Sequence, residues 1–268
     1  MHRLQRHHLK RLGNAVLTSV LLSLPVVALA VLVQQRFEPL IHLDTEIIRR
    51  ATDHTRSHPQ LRSALVVWQE IWQPWRAYVA ATLVCLWTWR AKGMAARSLW
   101  AWVTMMVGWN LFLQAKLLVQ RARPIVDDPV STAPGYSFPS GHAANTSAIC
   151  ITLVVLLWPL LRTAAARVAA CLVAAAVTVS ILLDRVFLGV HYPSDVTAGL
   201  VLAAALVYGS WRGFVRPHHL EPGVPANPAD PTDPSTPDPS EPDPSAHARP
   251  TTHPAPGQTA PGPEQRSR

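Results

Sequence analysis

The sequence predicts an all-α integral membrane protein, with six membrane-spanning helices in a bundle and a disordered, Pro-rich C-terminal tail. The first observation is that apolar residues fall in long runs and not at the spacing of a soluble core, with a mean hydropathy of +0.15 over 268 residues. The second is that many of the ten Trp residues stand near the ends of those runs, where amphipathic rings settle at a bilayer interface. The third is that the apolar runs stop after Arg216.

The first predicted span follows a strongly basic N-terminus, residues 1–13. The apolar run 14–33 is about 20 residues long, enough to cross a bilayer. It ends without a clear small-residue cleavage site, so we interpret it as an uncleaved helix and not as a signal peptide. Residues 35–62 are polar, with an amphipathic middle suited to lying on a membrane surface. Residues 63–75 favour an interfacial helix or the start of the second span.

Five further spans complete a predicted membrane domain over residues 14–216. These spans are 75–90, 98–120, 142–161, 167–189 and 195–214. Basic residues concentrate in the N-terminus, in the loops 90–97 and 162–167, and at the end of the last span. Six alternating spans place all of these on one side of the membrane. That side is cytoplasmic by the positive-inside rule.

The last segment, residues 217–268, is rich in Pro, Asp, Ser and Thr and lacks the apolar residues that offset the entropy of ordering. We therefore expect a disordered cytoplasmic tail. The net charge of +8 raises the alternative of nucleic-acid binding. No basic stripe with interleaved aromatic residues is present in the sequence, and the Arg residues cluster between apolar runs, so no nucleic-acid partner is expected.

Three short strings with cationic, His and Asp residues lie at the ends of predicted spans, on the side opposite the cytoplasmic loops. They are Lys116-x6-Arg123-Pro124, Pro139-Ser140-Gly141-His142 and Arg185-x5-His191-x3-Asp195. Charged residues at the edge of a membrane span are costly, so three such groups on one face indicate a function. Lys and Arg can hold a phosphate, and a Gly-flanked turn offers backbone N–H groups. One His can attack, a second can protonate, and Asp can orient the attacking group.

The first two strings also fit structural roles when each is taken alone. Lys116 and Arg123 suit snorkelling anchors at the end of a span, and we interpret Arg121 as such an anchor. Ser140 is expected to cap the helix that begins near His142. The free N–H groups of that helix N-terminus would form an anion site.

The third string places an imidazole next to a carboxylate. Pro193 suits the first turn of the last span, so Asp195 lies one turn inside and within reach of His191. A carboxylate that receives one imidazole N–H fixes the tautomer and leaves the other nitrogen free to attack. A solvated His beside a helix-start Asp is the alternative, but it does not explain why Arg185 and the other cations share this face.

Together the strings resemble the signature of the type 2 phosphatidic acid phosphatase (PAP2) superfamily, whose motifs are K-x6-R-P, P-S-G-H and S-R-x5-H-x3-D. The resemblance covers residues 63–214 and holds at every charged and His position. It implies that His191 is a nucleophile that forms a phosphohistidine, with Asp195 orienting it and His142 as general acid. The phosphate cradle that the resemblance implies consists of Lys116, Arg123, Ser140, Gly141 and Arg185. It implies no metal and no other cofactor.

One position departs from the family pattern. Asp184 precedes Arg185, where the family usually has Ser. An acid at this position can pair with Arg185 and position it, or it can weaken the anion site. We expect activity to survive the change.

The resemblance predicts a multi-pass cell-membrane lipid phosphatase with its active site on the outer face. Candidate substrates in the bilayer are undecaprenyl diphosphate, phosphatidic acid and similar lipid phosphates. One alternative is a lipid phosphotransferase that passes the same phosphohistidine to an acceptor. Another is a non-enzymatic lipid-binding or transport protein, against which the His191–Asp195 pair argues. The vanadium haloperoxidases share the phosphate-type site, but they are soluble, and six apolar spans argue against them.

Overall fold

The structure, a computed structural model, describes residues 2–125, 131 and 133–214, and the surroundings of side chains from residue 9 onward. Over these residues the chain is helical and no strand is present. The eight α-helices are α1 (His2–Gln34), α2 (Glu38–Ser57), α3 (Pro59–Ile71), α4 (Pro74–Lys92), α5 (Ala95–Val119), α6 (Gly141–Leu157), α7 (Ala164–Phe187) and α8 (Pro193–Phe214). The predicted tail, 217–268, lies outside the described residues. The all-α prediction is confirmed.

Five helical segments within the described residues are long and apolar enough to cross a membrane, so the chain is a multi-pass membrane protein. They are Leu9–Gln34, Ala95–Val119, Gly141–Leu160, Ala164–Phe187 and Pro193–Phe214. Large apolar side chains on α1, α5 and α7 remain exposed, as expected of surfaces that face lipid. The predicted span 75–90 corresponds to α4, whose 19 residues make a helix about 28 Å long. Because α4 is not among the five apolar segments, the count of six spans stays a prediction.

The polar segment between the first two predicted spans folds differently from the expected surface helix. One face of α2 is buried against α7 and α8, including Asp44, Thr52 and Thr55. The following helix, α3, ends at Ile71, and Pro74 starts α4. Pro suits the first turn of a helix and cannot continue one, so α3 is a separate helix and not the start of the second span.

The core is formed where α8 packs against α1, α5 and α6. Gly199 of α8 marks the closest approach to the start of α6. A Cβ added there would lie 2.9 Å from the backbone O of Ser140 and 3.0 Å from the backbone N of Ala144. Only glycine permits this approach without a backbone shift, and the contact holds the second and third sequence strings together at one end of the bundle.

Candidate active site

The three sequence strings converge on one cavity of about 450 Å³ at the end of the bundle. Six of the eight predicted site residues line it: Lys116, Arg123, Gly141, His142, Arg185 and His191. The other two, Ser140 and Asp195, are fully buried. Helix ends account for this gathering. Lys116 stands in the last turn of α5, Gly141 begins α6, Arg185 stands in the last turn of α7, and Asp195 stands in the first turn of α8.

His191 occupies the short connection between α7 and α8 and is only 2% exposed. Its Nε2 lies 3.2 Å from Nη1 of Arg123, which can only donate, so Nε2 is the accepting nitrogen of a neutral ring. Its Nδ1 lies 3.6 Å from Oδ2 of Asp195 and 3.4 Å from Oγ of Ser137. The expected His191–Asp195 pair is therefore formed as a close approach, with a serine hydroxyl beside it.

The electrostatic surroundings favour the neutral form of His191. Burial lowers its pKa to about 4, because the charged imidazole loses its hydration. Arg123 and Lys116 lower the pKa further, and Asp195 opposes them. A neutral ring with an accepting Nε2 toward the cavity has the protonation state that a nitrogen nucleophile needs.

The cations around the cavity donate to oxygen atoms of the protein. Nζ of Lys116 donates to the backbone O of Tyr136 (2.7 Å). Arg123 donates from Nη1 to the backbone O of Val190 (2.7 Å). Its Nε and Nη2 donate to two carbonyls in its own loop, those of Gly135 and Pro134. Carbonyl oxygens are weaker acceptors than a phosphate oxygen. An anion in the cavity can therefore replace them as partners of these side chains.

Asp184 forms a buried ion pair with its neighbour Arg185. Its Oδ2 accepts from Nε of Arg185 at 2.8 Å and also from Nη2. Arg185 Nη2 donates as well to Oε1 of Gln69, 2.9 Å away on α3. Of the two effects that the sequence left open for Asp184, the structure therefore shows the pairing with Arg185. The guanidinium is held at the cavity wall from two sides.

The start of α6 differs in detail from the expectation. Ser140 stands at the N-cap position, but its side chain does not cap the helix, and its Oγ has no partner in the described residues. The prediction of a Ser140 side-chain cap is wrong. Its backbone N instead donates to the backbone O of Asp195 (3.0 Å), because α6 and α8 begin side by side. His142, one residue inside the helix, lines the cavity with an Nε2 that has no partner in the described residues.

Sequence reasoning missed polar residues behind His191, among them Arg121, Ser137 and Asp44. Arg121 is not a snorkelling anchor: its side chain is 7% exposed and donates to Asp195 and Asp44. The interpretation failed because α5 ends at Val119, so Arg121 turns inward with the loop. Ser137 stands two residues before the second string, and its proximity to the motif was the signal that could have found it. Asp44 sits in the polar segment between spans, and its sequence surroundings carry no such signal.

Within the described ranges, no group of three or more His, Cys, Asp or Glu side chains is placed to hold a metal ion. The independence from metal that the sequence suggested stays a prediction. What the described residues do present is an anion cavity, with cations on its wall and a neutral imidazole pointing into it.

Comparison with known proteins gives matches of three kinds. The sequence model of the PAP2 superfamily matches residues 98–219. Decaprenylphosphoryl-5-phosphoribose phosphatase from two strains of Mycobacterium tuberculosis is 34% identical over 96 residues, which are 34% of this chain and 46% of the relative. The chain therefore spans about half the length of these relatives.

The third match is to a solved structure. It is a transmembrane PAP2-type phosphatidylglycerolphosphate phosphatase from Bacillus subtilis, with a TM-score of 0.60 and 22% identity. The likeness covers 72% of this chain and 94% of the Bacillus subtilis chain. At 22% identity it shows a similar fold and nothing further. The family resemblance of the three strings is thus confirmed by the sequence match, which spans all three of them. Residues 98–219 of this membrane protein match the PAP2 superfamily in sequence.

Proposed function

We propose that the protein is a membrane lipid phosphatase, which hydrolyses a phosphomonoester or the terminal phosphate of a diphosphate on a lipid. The observation that carries the proposal is a single cavity lined by His191, whose Nε2 is an acceptor, and by a second histidine and three cations. These are His142, Lys116, Arg123 and Arg185. The PAP2 domain and the phosphatase relatives support the same reading.

The proposed reaction has two displacements at phosphorus. Nε2 of His191 attacks, the N–P bond forms, and the bond from phosphorus to the lipid oxygen breaks as His142 gives that oxygen a proton. Water then attacks phosphorus and loses a proton to His142, and the N–P bond breaks to release phosphate. Asp195 orients His191, and the three cations stabilise the charge on the equatorial oxygens in both steps. Arg123, which donates to Nε2 in the free enzyme, would turn to a phosphate oxygen.

The substrate class follows from the membrane setting and from the relatives. Undecaprenyl diphosphate, phosphatidic acid and phosphatidylglycerol phosphate all carry a terminal phosphate at the bilayer surface. The name of the mycobacterial relatives adds one more candidate substrate, a polyprenyl lipid that carries a phosphorylated sugar. Gln69 and Gln73 line the cavity next to the cations, and their amides suit a hydroxylated head group.

We also propose six spans, with α4 as the second, in the cell membrane. The basic N-terminus, the loop 90–97 and the loop 162–167 then lie in the cytoplasm by the positive-inside rule. The cavity lies at the opposite ends of these spans. The active site would therefore face the outer leaflet.

Phosphate release by the detergent-purified protein tests the function. We expect release from at least one of undecaprenyl diphosphate, phosphatidic acid, phosphatidylglycerol phosphate and decaprenylphosphoryl-5-phosphoribose, at an undiminished rate in EDTA. Release that stops in EDTA and returns with a divalent metal would contradict the metal-free mechanism. Release only when a lipid or sugar acceptor is added would identify a phosphotransferase. Lipid binding without any release would identify a non-enzymatic lipid-binding protein.

The pH dependence of kcat/KM should be bell-shaped. The nucleophile must be neutral, and burial lowers the pKa of His191 to about 4, so the rate should rise as the pH increases through about 4. The proton donor, His142, must be protonated when the lipid is bound, and the negative charge of the bound phosphate stabilises that form, so kcat, and with it kcat/KM, should fall on the alkaline side. A pH series of initial rates on one lipid checks this. A rate independent of pH on both sides would contradict the two assigned roles.

A further inference from the structure

Behind His191 lies a buried network of five polar side chains from three parts of the chain. Its members are Asp44, Arg121, Ser137, Ser194 and Asp195. Asp44 belongs to α2, Arg121 and Ser137 to the loop between α5 and α6, and Ser194 and Asp195 to the first turn of α8. All five side chains are at least nine-tenths buried.

Arg121 joins the two carboxylates of this network. Its Nη1 donates to Oδ1 of Asp195 at 2.7 Å and to Oγ of Ser194 at 2.8 Å. Its Nη2 donates to Oδ2 of Asp44 at 2.8 Å. The guanidinium also stacks 4.0 Å above the ring of Tyr192. These contacts hold the guanidinium by one face and by both Nη groups. Burial lowers the pKa of Arg121, but the two carboxylates outweigh it and the pKa is raised.

Both carboxylate oxygens of Asp44 accept hydrogen bonds. Its Oδ1 accepts from the backbone N of Ser194 (3.0 Å), and its Oδ2 accepts from the Ser194 hydroxyl and from Arg121. Asp44 is only 1% exposed and lies outside the residues that match the PAP2 family. It therefore fixes both Arg121 and the first turn of α8, which carries Asp195.

We propose that Asp44 and Arg121 are positioning residues, which act through Asp195 to hold His191 ready for attack; this rests on the proposed function. Oδ1 of Asp195 is bound to Arg121, so Oδ2 is left facing Nδ1 of His191 at 3.6 Å. Rotation of the Asp195 carboxylate would break the hydrogen bond of Oδ1 with Arg121 and move Oδ2 away from Nδ1 of His191. Arg121 and Asp44 prevent that rotation.

The charges of the network support the same role. When Nε2 of His191 bonds to phosphorus, its ring gains positive charge, which a nearby carboxylate stabilises. Arg121 alone would neutralise Asp195. Because Arg121 is shared with Asp44, the three groups together keep one net negative charge beside the ring. The carboxylate of Asp44 thus lets Asp195 stabilise the positive charge on the His191 ring even though Asp195 is paired with Arg121.

Asp44→Asn tests the proposal. It keeps the size of the side chain and removes the charge, and we expect kcat to fall by about 10²-fold with KM nearly unchanged, as for a small misplacement of a reacting group. The matched control is Asp53→Asn on the same helix, whose side chain is 51% exposed and which should behave as wild type. The melting temperature of each variant in detergent reports folding. If Asp44→Asn does not fold, Arg121→Lys, which keeps the charge but loses the two-sided fork, should show the same loss of kcat.

A double-mutant cycle separates positioning from general support of the fold. In an Asp195→Asn background, Asp44→Asn should lower kcat little further, because it acts through Asp195. Wild-type kcat in Asp44→Asn, or losses that multiply in the double variant, would overturn the proposal. If wild type released no phosphate from any lipid, the proposed function would fail instead. In that case the positioning role is tested by the rise in melting temperature that vanadate, a phosphate mimic, causes. This rise should be smaller in Asp44→Asn than in wild type and unchanged in Asp53→Asn. Equal rises in both variants would overturn the proposal.

Discussion

Replacing His191 by alanine is expected to lower kcat for phosphate release by at least about 10⁴-fold. The proposed covalent intermediate forms on Nε2, and among the described residues of the cavity wall no other side chain combines an accepting ring nitrogen with a carboxylate partner like Asp195. Lys116, Arg123 and Arg185 remain in the variant. It should therefore still bind vanadate, although more weakly, because the bond to the imidazole is lost.

The matched control for this prediction is His42→Ala. His42 is an exposed histidine on α2, so its replacement should leave kcat unchanged. Initial rates on the best lipid of the panel, with melting temperatures in detergent, provide the measurement. A folded His191→Ala protein that keeps more than about a tenth of the wild-type kcat would rule out His191 as the nucleophile.

Asp195→Asn is the second large effect, with an expected fall in kcat of about 10⁴-fold and little change in KM. Both carboxylate oxygens are engaged: Oδ1 accepts from Arg121, and Oδ2 accepts from Ser137 and from the backbone N of Tyr192 (2.9 Å). An amide nitrogen in either position would face a donor. The amide also lacks the charge that stabilises a cationic His191 ring.

Steady-state kinetics of Asp195→Asn beside wild type and Asp53→Asn measures this effect. The split between kcat and KM is informative, because Asp195 does not line the cavity and should not contribute to binding of the ground state. A variant with raised KM and unchanged kcat would mean that Asp195 only shapes the binding site.

The sequence was sufficient for the last four spans and for the cations and histidines that line the cavity. Long apolar runs defined α5 to α8 to within a few residues at most ends, since a bilayer demands about 20 apolar residues per span. Motif spacing identified the chemistry because its residues stand at helix ends, where a fixed separation along the chain gives a fixed position in space. Lys116, His142 and His191 meet for this reason.

Contacts between distant parts of the chain were beyond sequence reasoning. Ser194 and Asp44 are 150 residues apart, and no local pattern relates them. Arg121 follows the apolar span as a membrane anchor would, and only the inward turn of the loop after Val119 makes it a buried partner of two carboxylates. The helix α2 looked like a surface helix because its buried face contains Asp and Thr, which are satisfied by tertiary hydrogen bonds.

The most direct test of the central claim is to trap phosphate on His191. Radiolabelled p-nitrophenyl phosphate suits this experiment because its leaving group needs no general acid. In His142→Ala the intermediate should still form but hydrolyse slowly, since water lacks its base. After an alkaline quench, which spares the acid-labile N–P bond, we predict label on the peptide that contains His191, and none in His191→Ala. Label on another residue, or phosphate release without any labelled protein, would contradict the phosphohistidine mechanism.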